Sequence, residues 1–218
     1  MLKVFTYQQT PFRQNCRIIF NHETLNAIVC DMGSAEDAPF IYKECEKYNL
    51  KVKAILLTHG HIDHCGGADN LAELLHVPIV GPHKADEVWL NKMDEQAKMF
   101  RLSGVSTQTP NISHFVTDNE KIDFALGEEI LCIHCPGHTP GHMCYYMMES
   151  KMLLAGDVLF AGSVGRCDFT FGDPEALLHS IKNKLFMLPD ETQVLTGHGP
   201  DTTIMRERMS NPYLLNFC

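Results

Sequence analysis

Four apolar runs in this chain end in the same way, and that shared ending constrains the fold more than any other feature. Ala54-Ile55-Leu56-Leu57 runs into Thr58-His59-Gly60-His61-Ile62-Asp63-His64. Ile130 to Cys135 runs into Pro136-Gly137-His138, and Met152 to Ala155 into Gly156-Asp157. Gln193 to Thr196 runs into Gly197-His198-Gly199. Short apolar runs bounded by turn residues read as buried strands. Layered α/β folds place their chemistry on the loops at strand ends, where a rigid frame aims the side chains. A glycine beside each histidine or aspartate lets the backbone turn tightly or approach closely.

Together these loops offer His59, His61, Asp63, His64, His138, Asp157 and His198. Five imidazoles and two carboxylates form a borderline-soft donor set suited to zinc, with iron or manganese compatible. One ion with an open catalytic position takes about three protein ligands. Seven donors therefore suit two divalent ions, three private ligands each and one shared carboxylate. The run from His59 to His64 is the strongest element, because unpaired polar groups after an apolar strand are costly to bury. Singly, His138 and Asp157 read as well as turn residues, and His198 is weak. Their force comes from recurring at equivalent strand ends.

The chain has 218 residues and a mass of 24.6 kDa, which predicts a single domain over 1–218 with room for a sizeable core. At 44% hydrophobic and 21% charged, it excludes disordered, collagen-like and coiled-coil chains. No apolar run approaches the ~18 residues of a membrane span. The N-terminus lacks the apolar stretch of a secretory signal, so a cytoplasmic protein is expected. A net charge of -9 argues against nucleic acid or an anionic membrane as partner. Oligomeric state is left open by the sequence. Nine cysteines cannot all pair within the chain and read as reduced thiols. Cys132 and Cys135 have C-x-x-C spacing, but on a strand that spacing sends them to opposite faces.

Strands are expected at Lys3 to Tyr7, Arg17 to Phe20, Asn26 to Asp31, Val52 to Leu57, Ile79 to Val80, Ile130 to Cys135, Met143 to Met148, Met152 to Ala155 and Gln193 to Thr196. Helices are expected at Ala35 to Tyr48, Ala68 to His76, Lys84 to Met99 and Pro174 to Met187. Asp173 can cap the last of these, and Leu177, Leu178, Ile181, Leu185 and Phe186 form its apolar stripe. Early strands at hairpin spacing followed by strand–helix alternation indicate an α/β layered fold.

The motifs Thr58 to His64, Pro136-Gly137-His138-Thr139-Pro140-Gly141-His142, Gly156-Asp157 and Gly197-His198-Gly199 resemble the metallo-β-lactamase-fold hydrolase superfamily along nearly the whole chain. Within it the sequence is similar to the short bacterial glyoxalase II, or hydroxyacylglutathione hydrolase, form. Supporting stretches are Gly165-Arg166-Cys167-Asp168-Phe169, Gly172-Asp173, Leu188-Pro189-Asp190 and Gly199-Pro200-Asp201-Thr202-Thr203. The resemblance implies a four-layer αββα sandwich with a dinuclear site at one edge. It puts His59, His61 and His138 on one ion, Asp63, His64 and His198 on the other, and Asp157 between them. It implies that His142 orients a ligand or its loop, and that Arg166 contacts the glutathione part of a substrate. The C-terminal helical domain of the long form has no counterpart after His198, which implies a weaker hold on glutathione. The early Asp-Pro-Gly turn of such chains reads Asp31-Met32-Gly33 here, a change given no functional weight.

The activity so implied is hydrolysis of a thioester, an S-(2-hydroxyacyl)glutathione, by a water shared between two cations and ionised by them. Asp63 would orient that nucleophile or take its proton, and a thiolate leaves without a strong general acid. A one-iron persulfide dioxygenase of the same fold, with its own Gly-Arg-x-Asp-Phe stretch, is the alternative enzyme. A non-catalytic metal-binding protein and a nuclease-type member are further alternatives. The first is disfavoured by an open, cysteine-poor donor set, the second by the acidic balance. Cys65 reads as a small packed residue at a helix start. Trp89, Phe100, Met93 and Met99 read as core, and His22, His76, His83, His114, His134 and His179 as ordinary surface, cap or core histidines.

Overall fold

The structure is a computed structural model and describes residues 1–215. Cys218, one of the nine cysteines, lies outside the described residues.

Six strands form the first sheet: β1 (Leu2–Gln9), β2 (Gln14–Asn21), β3 (Asn26–Cys30), β4 (Lys51–Leu56), β5 (Ile79–Val80) and β6 (Ile112–His114), in the order β1-β2-β3-β4-β5-β6. The first three pair antiparallel and the rest parallel. The second sheet has β7 (Lys121–Ile122), β8 (Ile130–His134), β9 (Met143–Met147) and β10 (Met152–Gly156). After a small hairpin of β11 (Leu159–Phe160) and β12 (Ser163–Val164), it is completed by β13 (Gln193–Thr196) and β14 (Thr202–Thr203), giving the order β14-β13-β10-β9-β8-β7. The helices are α1 (Ala38–Lys47), α2 (Ile62–Cys65), α3 (Ala68–Leu75), α4 (Glu87–Leu90), α5 (Met93–Phe100), α6 (Pro174–Asn183) and α7 (Ile204–Ser210). None of the described helices is long and apolar enough to cross a membrane.

Strand periodicity produces the layers. Alternate side chains of β2 and β3 face opposite ways: Ile18 and Val29 pack under α1 and α3 with Ile41 and Leu71, while Ile19 and Ile28 face the second sheet. Across that middle layer stand Cys132, Tyr145 and Leu154. On the far side, Ile133, Tyr146, Leu153 and Val194 meet Leu177 and Ile181 of α6. Three apolar layers between helix, sheet, sheet and helix make the αββα sandwich expected from the sequence. Cys132 lies in the middle layer and Cys135 in the outer one, so the two thiols do face opposite ways.

Several expected boundaries move. The stretch Lys84 to Met99 is not one helix but a 3₁₀ turn at Lys84–Asp86, then α4 and α5. The breaks turn two buried polar side chains toward the strand-end loops. Asp86 is fully buried; its carboxylate accepts Gly60 N–H at 2.7 Å, the Thr139 hydroxyl at 2.8 Å, and Gly141 N–H. Gln96, also buried, accepts Ile62 N–H at 3.0 Å and donates to the carbonyls of Gly60 and Trp89. Pro174 to Met187 also divides: α6 starts where Asp173 accepts the N–H groups of Glu175 and Ala176, but stops at Asn183 before a 3₁₀ turn at Leu185–Met187. There Lys184 leaves the helix to reach Asp118 and the His134 carbonyl. The first helix starts at Ala38 rather than Ala35. Sequence reading missed α2, α7, β6, β7, β11, β12 and β14, all of them short.

The two sheets are stitched at the end where the loops gather. Asn15 of β2 donates its N–H to Gly197 O at 2.8 Å and its side-chain amide to Thr196 O and Gly199 O. Arg17, buried, binds Thr196 O at 2.9 Å and pairs with Asp201.

Burial pushes the Asp86 carboxyl up to about 6, and its three donors hold it from rising further. Asp86→Asn leaves at least one backbone N–H facing an amide NH₂, because the site offers only donors on the peptide side. The variant is expected to lose about 1–3 kcal/mol of stability. Urea unfolding followed by circular dichroism measures this; an unchanged midpoint would show that Asp86 does not hold the loops.

Candidate metal centre

All seven ligand-type residues from the strand ends come together at one edge of the sandwich. β4 delivers His59 and His61, and the short helix α2 that follows carries Asp63 and His64. The turn after β8 delivers His138, the end of β10 delivers Asp157, and the end of β13 delivers His198. Two glycines make this approach possible. Gly156 adopts φ +46°, and a Cβ there would lie 2.6 Å from His142 Nε2 and 2.7 Å from Thr58 Oγ1. A Cβ on Gly197 would lie 2.1 Å from Asp157 Oδ1.

The donors form two triads. In the first, His61 Nδ1 lies 3.1 Å from His59 Nε2 and 2.9 Å from His138 Nε2. In the second, His198 Nε2 lies 3.2 Å from His64 Nε2 and 3.3 Å from Asp63 Oδ2. Asp157 stands between them, with Oδ2 3.6 Å from His138 Nε2 and 3.5 Å from His198 Nε2, and Oδ1 3.4 Å from His64 Nε2. Each triad can hold one metal ion, as can the set of His59, His64 and Asp157.

The outward ring nitrogens say which atoms are free to bind. His59 Nδ1 lies 2.9 Å from Thr58 Oγ1, and His64 Nδ1 lies 2.9 Å from Asp31 Oδ2. His138 Nδ1 lies 2.7 Å from Arg166 O, and His198 Nδ1 lies 3.1 Å from Phe12 O. The carbonyls and the carboxylate can only accept; Thr58 already donates its hydroxyl to Asp31, so it too accepts from the ring. Each of these rings therefore carries its proton on Nδ1 and turns an Nε2 lone pair inward. Lone pairs facing one another at such distances need a cation between them. Metal–nitrogen bonds of 2.0–2.1 Å in a tetrahedron place neighbouring nitrogens about 3.3 Å apart, close to the separations seen. Asp157 Oδ1, buried without a hydrogen-bond donor, is a further acceptor that a cation would satisfy. The donor set fits divalent metal.

Electrostatics divide the two triads. Burial pushes His59 and His61 well below the usual imidazole range, and neighbouring imidazoles push the same way. His138 also moves down through burial. Burial acts on His64 too, but the carboxylates of Asp157, Asp63 and Asp31 together raise it. His198 rises beside Asp157 and Asp63 in spite of its burial. Asp63 and Asp157 resist the upward pull of burial because His64 and its neighbours hold them ionised.

Two predicted residues stand outside the triads. His142 Nε2 accepts the Asp157 N–H at 3.0 Å, and its ring stacks on His59 at 4.8 Å. Arg166 lies at the rim, exposed; its guanidinium pairs with Asp168 at 2.9 Å and covers the Phe169 ring at 4.6 Å. Sequence reading missed Asp31, which holds both Thr58 and His64, and gave its turn no weight. Its signal was an aspartate at the end of β3, the same strand-end rule that marked the others. Trp89 and Phe100 were expected in the core. Trp89 is buried as expected, packed edge-on against His61 at 4.6 Å, whereas Phe100, though packed against the apolar layer under α1 and α3, also lines the cavity over the triads. Met99 is two-thirds exposed, whereas Met93 and Cys65 are buried as expected.

Residues 10–198 match the family model described as the metallo-β-lactamase superfamily. Over 210 residues the chain is 40% identical to hydroxyacylglutathione hydrolase GloC of Haemophilus influenzae, covering 94% of each chain. The solved structure of BLEG-1 B3 metallo-β-lactamase superposes with a TM-score of 0.88 at 32% identity, covering 99% of this chain and 100% of that one. TTHA1623, solved in a di-iron-bound form, gives a TM-score of 0.85 at 33% identity, covering 97% of this chain and 100% of that one. With a family match across residues 10–198, relatives alike along nearly their full length, and a four-layer frame that gathers histidines and aspartates at one edge, this chain belongs to the metallo-β-lactamase superfamily.

Proposed function

We propose that this protein is a thioester hydrolase that cleaves an S-(2-hydroxyacyl)glutathione to glutathione and a 2-hydroxy acid, using two divalent ions. His59, His61 and His138 would hold one ion and Asp63, His64 and His198 the other, with Asp157 between the two sets. The observation that carries this reading is the pair of triads sharing one carboxylate between them. The relative named as a hydroxyacylglutathione hydrolase supports the choice of substrate. Ions so held supply Lewis acidity, which acidifies a water and polarises a carbonyl.

The chain's own residues do the rest. Asp63 lines the cavity and stays ionised, so it can orient the attacking water and accept its proton. Asp31, Thr58 and the Arg166 and Phe12 carbonyls keep the imidazoles in one tautomer throughout. His142 holds the backbone of Asp157. A thiolate leaves with a thiol pKa of about 8.5 and needs no dedicated acid. The complete second triad favours hydrolysis over the one-iron persulfide dioxygenase alternative. Zinc is the proposed metal, and iron or manganese suits the same donors. We also place the protein in the cytoplasm, whose reducing conditions suit the eight unpaired cysteines among the described residues.

Purified protein is expected to carry two equivalents of metal by elemental analysis and to hydrolyse S-lactoylglutathione in a chelator-sensitive way. His59→Ala is expected to lose metal and to cut turnover by about a thousandfold or more. Full turnover in metal-free protein would overturn the scheme. A second expectation follows from the opposed shifts in the triads. An imidazole with a raised pKa keeps its proton to higher pH and competes with a cation sooner as the solution is acidified. His64 and His198 are raised, while His59, His61 and His138 are lowered. Protons therefore claim the second triad first. Dialysis at stepwise lower pH should take metal content from two equivalents to one before the remainder leaves. Simultaneous release of both would contradict the assignment.

A further inference from the structure

The cavity over the triads has a volume of about 250 Å³, and its walls are unusually apolar for a polar floor. His61, Asp63, His138, Asp157 and His198 make the floor, and Phe12, Phe100, Phe160 and Phe169 make the walls. Phe12, Phe160 and Phe169 belong to none of the three apolar layers of the sandwich. Their rings line the cavity outside those layers.

The walls differ from end to end. Beside His198, Phe12 and Phe100 meet edge to face at 5.6 Å, Phe160 stands 6.3 Å from the His198 ring, and the Phe12 carbonyl accepts the His198 N–H. Beside His138, Phe169 contacts the His61 and His138 rings, and Arg166 covers Phe169. Arg166 is the one lysine or arginine among the lining residues, and Asp168 already neutralises it. Glutathione carries two carboxylates and an ammonium, and such groups are costly to desolvate against phenyl rings. The carrier therefore suits the wet rim at Arg166. The three-phenylalanine end is left for the acyl group.

We propose that Phe12, Phe100 and Phe160 form an acyl pocket for an aromatic ring, so that the substrate is an aryl-bearing 2-hydroxyacyl thioester rather than the lactoyl one. This rests on the thioesterase reading above and narrows it to one substrate class. An edge-to-face pair and a third ring lining the same cavity offer ring edges and faces to an entering aryl group, a geometry that favours aromatic over methyl groups. The cavity accepts a phenyl group but is too small to bury a whole glutathione conjugate, since sites for ligands of that size measure about 300–1,000 Å³.

S-mandeloylglutathione and S-lactoylglutathione differ only by phenyl in place of methyl. For the metal-loaded protein, kcat/KM is expected to be at least about tenfold higher for the mandeloyl ester, with the ratio falling toward one in Phe12→Ala and Phe100→Ala. Phe12 packs in none of the layers, so its variant keeps the test available if Phe100→Ala fails to fold. The binding arm uses the product acids: calorimetry should show mandelate binding about tenfold tighter than lactate, and Phe12→Ala should remove the difference. A lactoyl ester turned over as well as or better than the mandeloyl one, or a ratio unmoved in both variants, overturns the aryl pocket. If neither ester is cleaved, calorimetry decides. Preferential mandelate binding that Phe12→Ala abolishes keeps the pocket and rejects the thioesterase reading, whereas equal binding rejects the pocket.

Discussion

Outward-facing hydrogen bonds on the histidines set the chemistry of this site. Asp31, Thr58 and two backbone carbonyls each take one imidazole proton, and in doing so fix which nitrogen is left bare. Without those partners the rings could rotate or change tautomer, and two facing lone pairs would turn away from each other. With them, the lone pairs stay aimed at shared points, and a divalent cation is the species that relieves the arrangement. Asp31 and Thr58 are themselves buried beside β3 and β4, while the Phe12 and Arg166 carbonyls come from the turn after β1 and the loop after β12, so the preorganisation draws on both the frame and its loops.

That frame is a matter of strand periodicity. Alternation along β2, β3, β9 and β10 sends successive side chains into different apolar layers, which is why two sheets stack with helices outside them. The ends of β4, β8, β10 and β13 then fall along one edge, and their loops meet there. Asp86 and Gln96 clamp the loops bearing His59, His61 and His138 from beneath. Both are buried polar groups whose hydrogen bonds are spent on backbone and hydroxyl partners, so they fix loop geometry without competing for a cation.

Much of this was legible from the residues alone. Apolar runs gave the main strands to within a residue or two, except that β2 starts three residues before the expected Arg17, and the repeated glycine-with-ligand ending picked out the seven donors that converge. What was illegible has a common cause. Strands of two or three residues carry too little pattern to be seen reliably, and among the short ones only β5 was read. The helical period from Lys84 to Met99 was real, yet tertiary demand broke it, because Asp86 and Gln96 are needed in contact with distant loops. Asp31 was visible but unranked, since only the fold reveals that its carboxylate faces His64. Phe100 misled for a related reason: an aromatic at helical spacing looks the same whether its ring faces a core or a cavity.

The stitch between β2 and the loop after β13 joins positions some 180 residues apart. A chain emerging from the ribosome presents its N-terminal portion first. The trio of His59, His61 and His138 is therefore all present well before His198 is made, and the second trio is complete only when the late loop docks on the early hairpin. The late loop thus closes the second trio by docking on a hairpin made near the start of the chain, so the two trios differ in how far apart along the chain their members lie.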